Sequence, residues 1–389
     1  MIKILSALFL ITASLFSQNF EQFLDNTIKN SPYLQASNLN LEQAKESGDA
    51  LSRYANPTLE LELSNFTPYV GDSNIGYRAS YSQPLRLWGV GNDKEVLSLA
   101  MTQTASSSYK RKRANFIKNI SLLFTDYANN KQLLTLGYEE LSIAEGIYNI
   151  SKQRNEAGTI SRGVTLQAQV DYEMVKIRIQ TLELRAVNSY YTLLKSAGIS
   201  QEIDLDFEYT FSSQQSIDTQ NNPDLNFIQS KQKKALAQTQ VNSNSIEWIS
   251  VVAEYEAEPN QDILRVGASV PLAFFNSKSQ EKRISQLEAS KAELLANNKK
   301  LQLSIEISKL KKQRELLASI RFQNKKTLKT QTKLLNMFED GYKIASINLL
   351  QLQTIKNNLI QTKENIIKLN TALNQNAINT NYLTGVYND

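Results

Sequence analysis

Glu254 and Glu256 are the side chains whose type and spacing come nearest to a reaction centre. Paired carboxylates can divide general-acid and general-base work when their surroundings push their pKa values apart. These two, however, stand two residues apart in an alternating segment, so they project from one face of a strand as neighbours. That arrangement reads as a charged lining. The chain contains no histidine, which removes the usual general base and the commonest metal ligand. It contains no cysteine either, so no disulfide scaffold and no thiolate ligand is available. No residue is read as catalytic, cofactor-binding or metal-binding, and the chain is not read as an enzyme. A soft transition metal could pass such a protein but not be held tightly by it. The formal charge of +5 is small for 389 residues and gives no nucleic-acid footprint.

The elements that carry these charges repeat. Leu59, Leu61 and Leu63 alternate with Glu60, Glu62 and Ser64, and Tyr77, Ala79 and Tyr81 alternate with Arg78, Ser80 and Ser82. A second pair places Ile249, Val251, Ala253 and Tyr255 against Ser250, Glu254 and Glu256, then Leu264, Val266, Ala268 and Val270 against Arg265, Gly267 and Ser269. Period two with one apolar and one charged face predicts half-buried strands, and about ten residues each suits a tilted strand crossing a bilayer. Four strands cannot close a barrel alone, whereas three copies pooling theirs can. On that reading Glu60, Glu62, Arg78, Glu254, Glu256 and Arg265 face the lumen of a barrel, where charge is tolerated.

The seven prolines stand at 32, 57, 68, 84, 223, 259 and 271. Proline costs about 3 kcal/mol inside a helix, so the proline-free tracts from Leu85 to Asn222 and from Leu272 onward predict long helices. Helical patterning runs from Asn92 to about Arg154 and from Ser277 to Phe338, some sixty residues and about 90 Å each. The returning helices run from about Val164 to Lys195 and from Ile347 to Tyr382. Leucines at heptad spacing (Leu287, Leu294, Leu301; Leu303, Leu310, Leu317; Leu328, Leu335) predict coiled-coil seams that pass from one neighbour to another.

The two halves look like copies. Pro32 and Pro223 each precede a helical pattern, Pro68 and Pro259 each fall in a hairpin turn, and Tyr81–Leu85 matches Ala268–Leu272. Ala157-Gly158 and Asp340-Gly341 each precede a returning helix, and each glycine is expected to take the left-handed conformation that ends the long helix. These are offsets of roughly 183 to 191 residues, which makes a duplicated helix-hairpin-helix unit. The expected layout is 18–198 as a first repeat (hairpin about 57–87, tip near 156–162), 199–222 as an equatorial linker, and 223–389 as a second repeat (hairpin about 247–273, tip near 339–346). Ahead of them, Lys3 and the apolar run Ile4–Phe16, with a cleavage point near Ser17, read as a signal peptide at 1–17.

With these features in hand, the chain resembles the TolC family of outer-membrane efflux proteins. The resemblance rests on the duplicated order, the Asn56-Pro57 strand entry, the passage Ser82-Gln-Pro-Leu-Arg-Leu-Trp-Gly89 and the tip signature from Ala157 to Ala168, met again more loosely from Gly341 to Leu352. Asn56–Leu63 together with Gln83–Gly89 is most similar to the heavy-metal, CzcC-like branch. The resemblance implies a mainly α protomer with a small β part, three copies forming a 12-stranded β-barrel in the outer membrane of a Gram-negative bacterium and a 12-helix periplasmic α-barrel. It implies an inner-membrane pump, often of the resistance-nodulation-division type, and a periplasmic adaptor docking on tips marked by Gly158 and Gly341. It maps the periplasmic entrance onto Val164, Asn348 and Gln351, without the acidic residues of better-known relatives. The function implied is passive conduction of pumped cargo, heavy-metal cations included; a duct for drug efflux or type I protein secretion is the alternative. A periplasmic coiled-coil adaptor fits less well, since adaptors have one helical hairpin and glycine-rich domains, against two hairpins and thirteen glycines here.

Overall fold

The computed structural model describes residues 18–67, 69–213 and 218–388. The signal-peptide reading of 1–17 and the turn position of Pro68 fall outside them. The chain runs α1 (Phe20–Asn30), α2 (Pro32–Ser52), β1 (Thr58–Phe66), β2 (Asn74–Arg86), α3 (Val90–Glu156) and α4 (Arg162–Ala197). It then repeats the order as α5 (Pro223–Asn242), β3 (Trp248–Glu258), β4 (Gln261–Ser269), α6 (Ser279–Lys343) and α7 (Leu349–Leu383), closing with a 3-10 turn at Val386–Asn388.

Local chemistry sets the helix starts. Ser31 caps α2 by accepting from the Leu34 amide, with Pro32 in the first turn, and Asn222 caps α5 by accepting from the Leu225 amide at 3.0 Å, with Pro223 behind it. Proline is harmless there because its missing N–H has no partner inside a helix in any case. Further along, neither α3 nor α6 contains a proline, and 67 and 65 unbroken residues give rods of about 100 Å. The shorter helices line up along the rods: α2 and α4 pack on α3, α5 and α7 pack on α6, and α3 packs on α5 and α7.

Hydrophobic clusters hold these helices in place at several levels along the rods. Around the middle, Phe20 and Phe23 of α1 bury against Ile120, Phe124 and Tyr127 of α3 and Leu193 of α4. The irregular segment after Gly198 crosses here, setting Tyr209 and Phe211 on Phe20 with ring centres 4.9 and 4.8 Å away. It also donates the Phe211 amide to Asn374 of α7 and reaches α6 where Arg314 meets the Ser213 hydroxyl. At the far end Ile147, Ala168, Leu335, Tyr342 and Leu352 join α3, α4, α6 and α7 in one core. Toward the sheet, Leu97 and Ala100 of α3 meet Ala237 and Val241 of α5.

The leucine series on α6 divide between two surroundings. Leu303, Leu310 and Leu335 are buried within the chain, but Leu287, Leu294 and Leu301 are more than half exposed. The seam α6 buries in that upper region is made of Ser285, Ala289, Ala292 and Ala296. Small residues let α5 and α6 approach closely, and the leucines are left pointing away from the chain's own helices.

Candidate functional site

The four strands form one antiparallel sheet in the order β1-β2-β3-β4, so the two hairpins join through β2 and β3. Register brings Glu62, Arg78, Glu256 and Ile263 into one cross-strand row and Glu60, Ser80, Glu254 and Arg265 into the next. All six charged residues expected to act together therefore share one face. Arg78 pairs with Glu62, and Arg265 bridges Glu254 and Glu256, the latter at 2.5 Å. Each arginine is matched by at least one carboxylate, and Glu60 stands in no ion pair among the described residues.

The other face is apolar and bare. Its rows are Leu59, Tyr81, Ala253 and Val266, then Leu61, Ala79, Tyr255 and Leu264. Leu61, Leu264 and Val266 are each about three-quarters exposed, at 74%, 76% and 75%. Water disfavours such a surface, and a contiguous one signals a partner or a membrane. Among the described residues the outer edges of β1 and β4 have no strand beside them, which leaves their backbone groups without ladder partners. At the strand-to-helix junctions Trp88 and Phe275 are fully exposed and Phe274 is mostly exposed. No helix among the described residues is long and apolar enough to cross a membrane.

A built junction joins sheet to rod. The Arg86 guanidinium lies over the rings of Tyr54 and Trp248, at 4.8 and 4.6 Å, and donates to the carbonyls of Ser52 and Arg53. Glu247 faces both Arg86 and Lys94. The end of β2 is thereby tied to α2, β3 and α3.

At the opposite end, the two tips adopt the same turn. Thr159 donates to the Arg154 carbonyl and Gly158 to that of Asn155; 187 residues on, Ser346 donates to Gly341 and Ala345 to Tyr342. Each is a Schellman motif, which satisfies the last carbonyls of a helix. The left-handed residue is Gly158 in the first and Ala345 in the second, with φ of 71° and 65°. The expectation that Gly341 ends α6 in a left-handed conformation is thus corrected. Gly341 is buried inside α6, and a Cβ there would come within 2.8 Å of Ile347, so its smallness lets the turn fold back over the helix.

The residues mapped to the entrance separate. Val164 is half-buried against the tip core. Asn348 and Gln351 are exposed and bonded to each other, the Asn348 side chain accepting from the Gln351 amide at 2.9 Å and the Gln351 side chain from the Asn348 amide at 3.2 Å. This is a capping box that starts α7.

Charged residues that the sequence reading passed over tie the helices behind the tips. Lys356 of α7, with no exposed side-chain surface, meets Asp171 of α4 at 2.5 Å. Arg178 of α4 bridges Glu140 of α3 and Glu364 of α7, and Lys363 pairs with Glu139. Tyr342 joins α6 to α3 through a 2.7 Å hydrogen bond with Ser151, while Arg154 donates to its carbonyl and stacks on its ring. A signal for Lys356 does exist: it stands in the series Leu349, Leu352, Lys356, Leu359, whose other positions are apolar and buried.

Residues 23–199 match the family described as outer membrane efflux protein. No curated protein matches the chain. Among solved structures, the outer-membrane channel OprN superposes with a TM-score of 0.78 at 13% identity, over 95% of this chain and 90% of that one. The outer membrane protein VceC of Vibrio cholerae gives 0.78 at 13%, over 94% and 95%. The CmeC outer membrane channel of Campylobacter jejuni gives 0.76 at 14%, over 94% and 85%. Residues 23–199 thus carry a match to the outer membrane efflux protein family, and about 95% of the chain shares the fold of TolC-type channel protomers, a duplicated sheet-and-rod unit.

Proposed function

We propose that the protein is a passive outer-membrane efflux duct built from three copies, each giving four strands to a 12-stranded barrel and its helices to a periplasmic tube. The observation that carries this reading is the sheet, with one face of exposed leucine, valine and tyrosine, the other lined by paired charges, and both edges open. In lipid every backbone polar group needs a partner, and closure with two more copies supplies it. Glu60, Glu62, Arg78, Glu254, Glu256 and Arg265 then wet the bore. Trp88, Phe274 and Phe275 sit where the rods leave the membrane, the level at which barrels carry aromatic girdles.

The rods reach about 100 Å below the sheet, and the tips around Gly158 and the 341–346 turn meet a periplasmic adaptor coupled to an inner-membrane pump. The chain performs no chemistry, and energy comes from the pump. Opening follows if the adaptor binds the dilated arrangement better than the closed one, with Val164, Asn348 and Gln351 close to the moving end. For cargo we propose heavy-metal cations, supported by the resemblance at 56–63 and 83–89 and by four carboxylates against two arginines on the charged face.

Purified in detergent, the protein should be a trimer by light scattering and give discrete conductance steps in planar bilayers. A monodisperse monomer, stable without detergent, overturns the duct. Deletion of the gene should sensitise cells to divalent heavy metals; sensitivity gained only to detergents or dyes overturns the cargo and leaves the duct.

A further inference from the structure

The two repeats differ in charge along their rods. Residues 308–334 of α6 hold nine lysines and arginines against one acid, Glu315. The matching stretch of α3, 187 residues earlier, holds Lys131 against Asp126, Glu139, Glu140 and Glu145. The cations on α6 are also ordered. Lys311, Arg314, Arg321, Lys325, Lys329 and Lys333 follow at steps of 3, 7, 4, 4 and 4 residues, which keeps them on one side of a helix over about 33 Å. Arg321 is half-buried and the other five are exposed. None of the six stands in an ion pair among the described residues.

Which side of the tube this is follows from the segment that crosses it. A conducting tube must leave its bore open, so the stretch 199–213, laid across the helices, lies on the outer surface. Arg314 bonds Ser213 of that stretch, and Phe207–Phe211 roof a cavity of about 990 Å³ floored by α7 and walled by α3 and α6, with Arg314, Arg321 and Lys325 in its wall. The basic stripe therefore faces outward and continues toward the tip along a valley over α7. Phe322, 68% exposed, stands at its margin.

The geometry points to this stripe as a docking surface for an acidic, amphipathic helix of another periplasmic protein, an inference that rests on the duct reading for its outward direction. A valley between two parallel rods accepts a rod, and a ladder of cations at helical spacing matches a ladder of carboxylates at the same spacing. Except across the longer step from Arg314 to Arg321, neighbouring cations stand within about 6 Å of each other along the axis, closer than a Debye length, so their potentials add. Cargo is excluded because it travels in the bore. The outer membrane is excluded by distance, since Lys311 lies about 48 Å along α6 from its start near the sheet. A second copy is a poor source of the acid: on the matching stretch of α3, Glu139 and Glu140 are already paired with Lys363 and Arg178, which leaves Asp126 and Glu145 to face six cations.

The test uses the full-length trimer in detergent and a labelled synthetic helix about six turns long, with glutamates along one side and leucines along the other. Binding should be measurable by anisotropy, weaken as salt rises from about 0.05 to about 0.3 M, and fall at least about tenfold, some 1.4 kcal/mol, in the variant Lys311→Glu/Lys325→Glu/Lys329→Glu/Lys333→Glu. The corresponding four-site Gln variant should give an intermediate loss, and it carries the test if the Glu variant does not fold. Equal binding by wild type and either folded variant overturns the proposal. So does equal binding of an unstructured glutamate-glycine peptide of the same charge, or binding of anionic phosphatidylglycerol vesicles in place of the helix. Bilayer conductance of the same preparations separates the two readings: a wild type that binds the helix but conducts nothing counts against the duct alone.

Discussion

Ala345 holds the left-handed conformation that glycine adopts freely and an L side chain resists by about 1–2 kcal/mol. Ala345→Gly should therefore stabilise the second tip by about 1 kcal/mol, and Gly158→Ala should destabilise the first by a similar amount, both read from denaturant midpoints. Glu339 makes a second case. Partial burial in the last turns of α6 raises its carboxyl pKa above the ordinary value, with Lys343 opposing and Asp340 adding to the rise. The folded chain thus holds this proton more tightly than the unfolded chain. The stability linked to it is present at low pH and is lost as pH rises from the ordinary carboxylate value through the raised one. The melting temperature of Glu339→Gln should accordingly gain on the wild type as pH climbs from about 4 to about 7; a constant difference contradicts this. A glycine in the right neighbourhood was visible in the sequence, but its job was not. Gly341 and Ala345 differ by one helical turn, and only the fold-back of Ile347 shows which of them bends the chain.

Among the elements, α7 is locked to α4 by the buried pair of Lys356 and Asp171. A buried lysine deprived of its counter-ion is an uncompensated charge, worth about 3–5 kcal/mol in buried pairs. Asp171→Ala should hence cost about 3 kcal/mol, and more than Lys356→Met, because Asp171 keeps some access to water and Lys356 none. A double-mutant cycle on these two residues checks it, a coupling near zero being the contrary result. The elements themselves were legible because their signals are local: absent prolines set the rods, alternation set the strands, and Ser31-Pro32 and Asn222-Pro223 set two starts. Which face of a rod meets which neighbour was less so. Leu287, Leu294 and Leu301 announce a seam, yet α5 packs on Ser285, Ala289, Ala292 and Ala296, since close helix approach rewards small residues that hydrophobic periodicity does not register. Asn348 and Gln351 were assigned to an entrance by position. Their reciprocal capping bonds give them a local task that spacing alone, S/T/N-x-x-Q, was able to reveal.

For the whole molecule, the two faces of the sheet predict opposite responses to one substitution. Leu61→Arg, on the apolar face, should weaken the proposed membrane barrel by about 2–4 kcal/mol, read as a lower urea midpoint in lipid. Ser80→Arg, between Glu60 and Glu254 on the charged face, should leave that midpoint nearly unchanged and shift ion selectivity toward anions. The division of the sheet into two faces was readable in the alternation alone. The charge contrast between the repeats was also present in the sequence, but its direction depends on where the 199–213 stretch lies, which no period announces.

The unbroken rods carry one more implication. Helices α3 and α6 each run from the sheet to a tip with no proline and no interruption, so residue number becomes a ruler. A helix neither stretches nor telescopes, so in the proposed duct the depth reached below the lipid is set at translation, at 1.5 Å per residue. A cell whose two membranes drew apart could not be served by bending this protein. It would need a gene lengthened in both repeats at once, in steps that keep each rod's faces in phase.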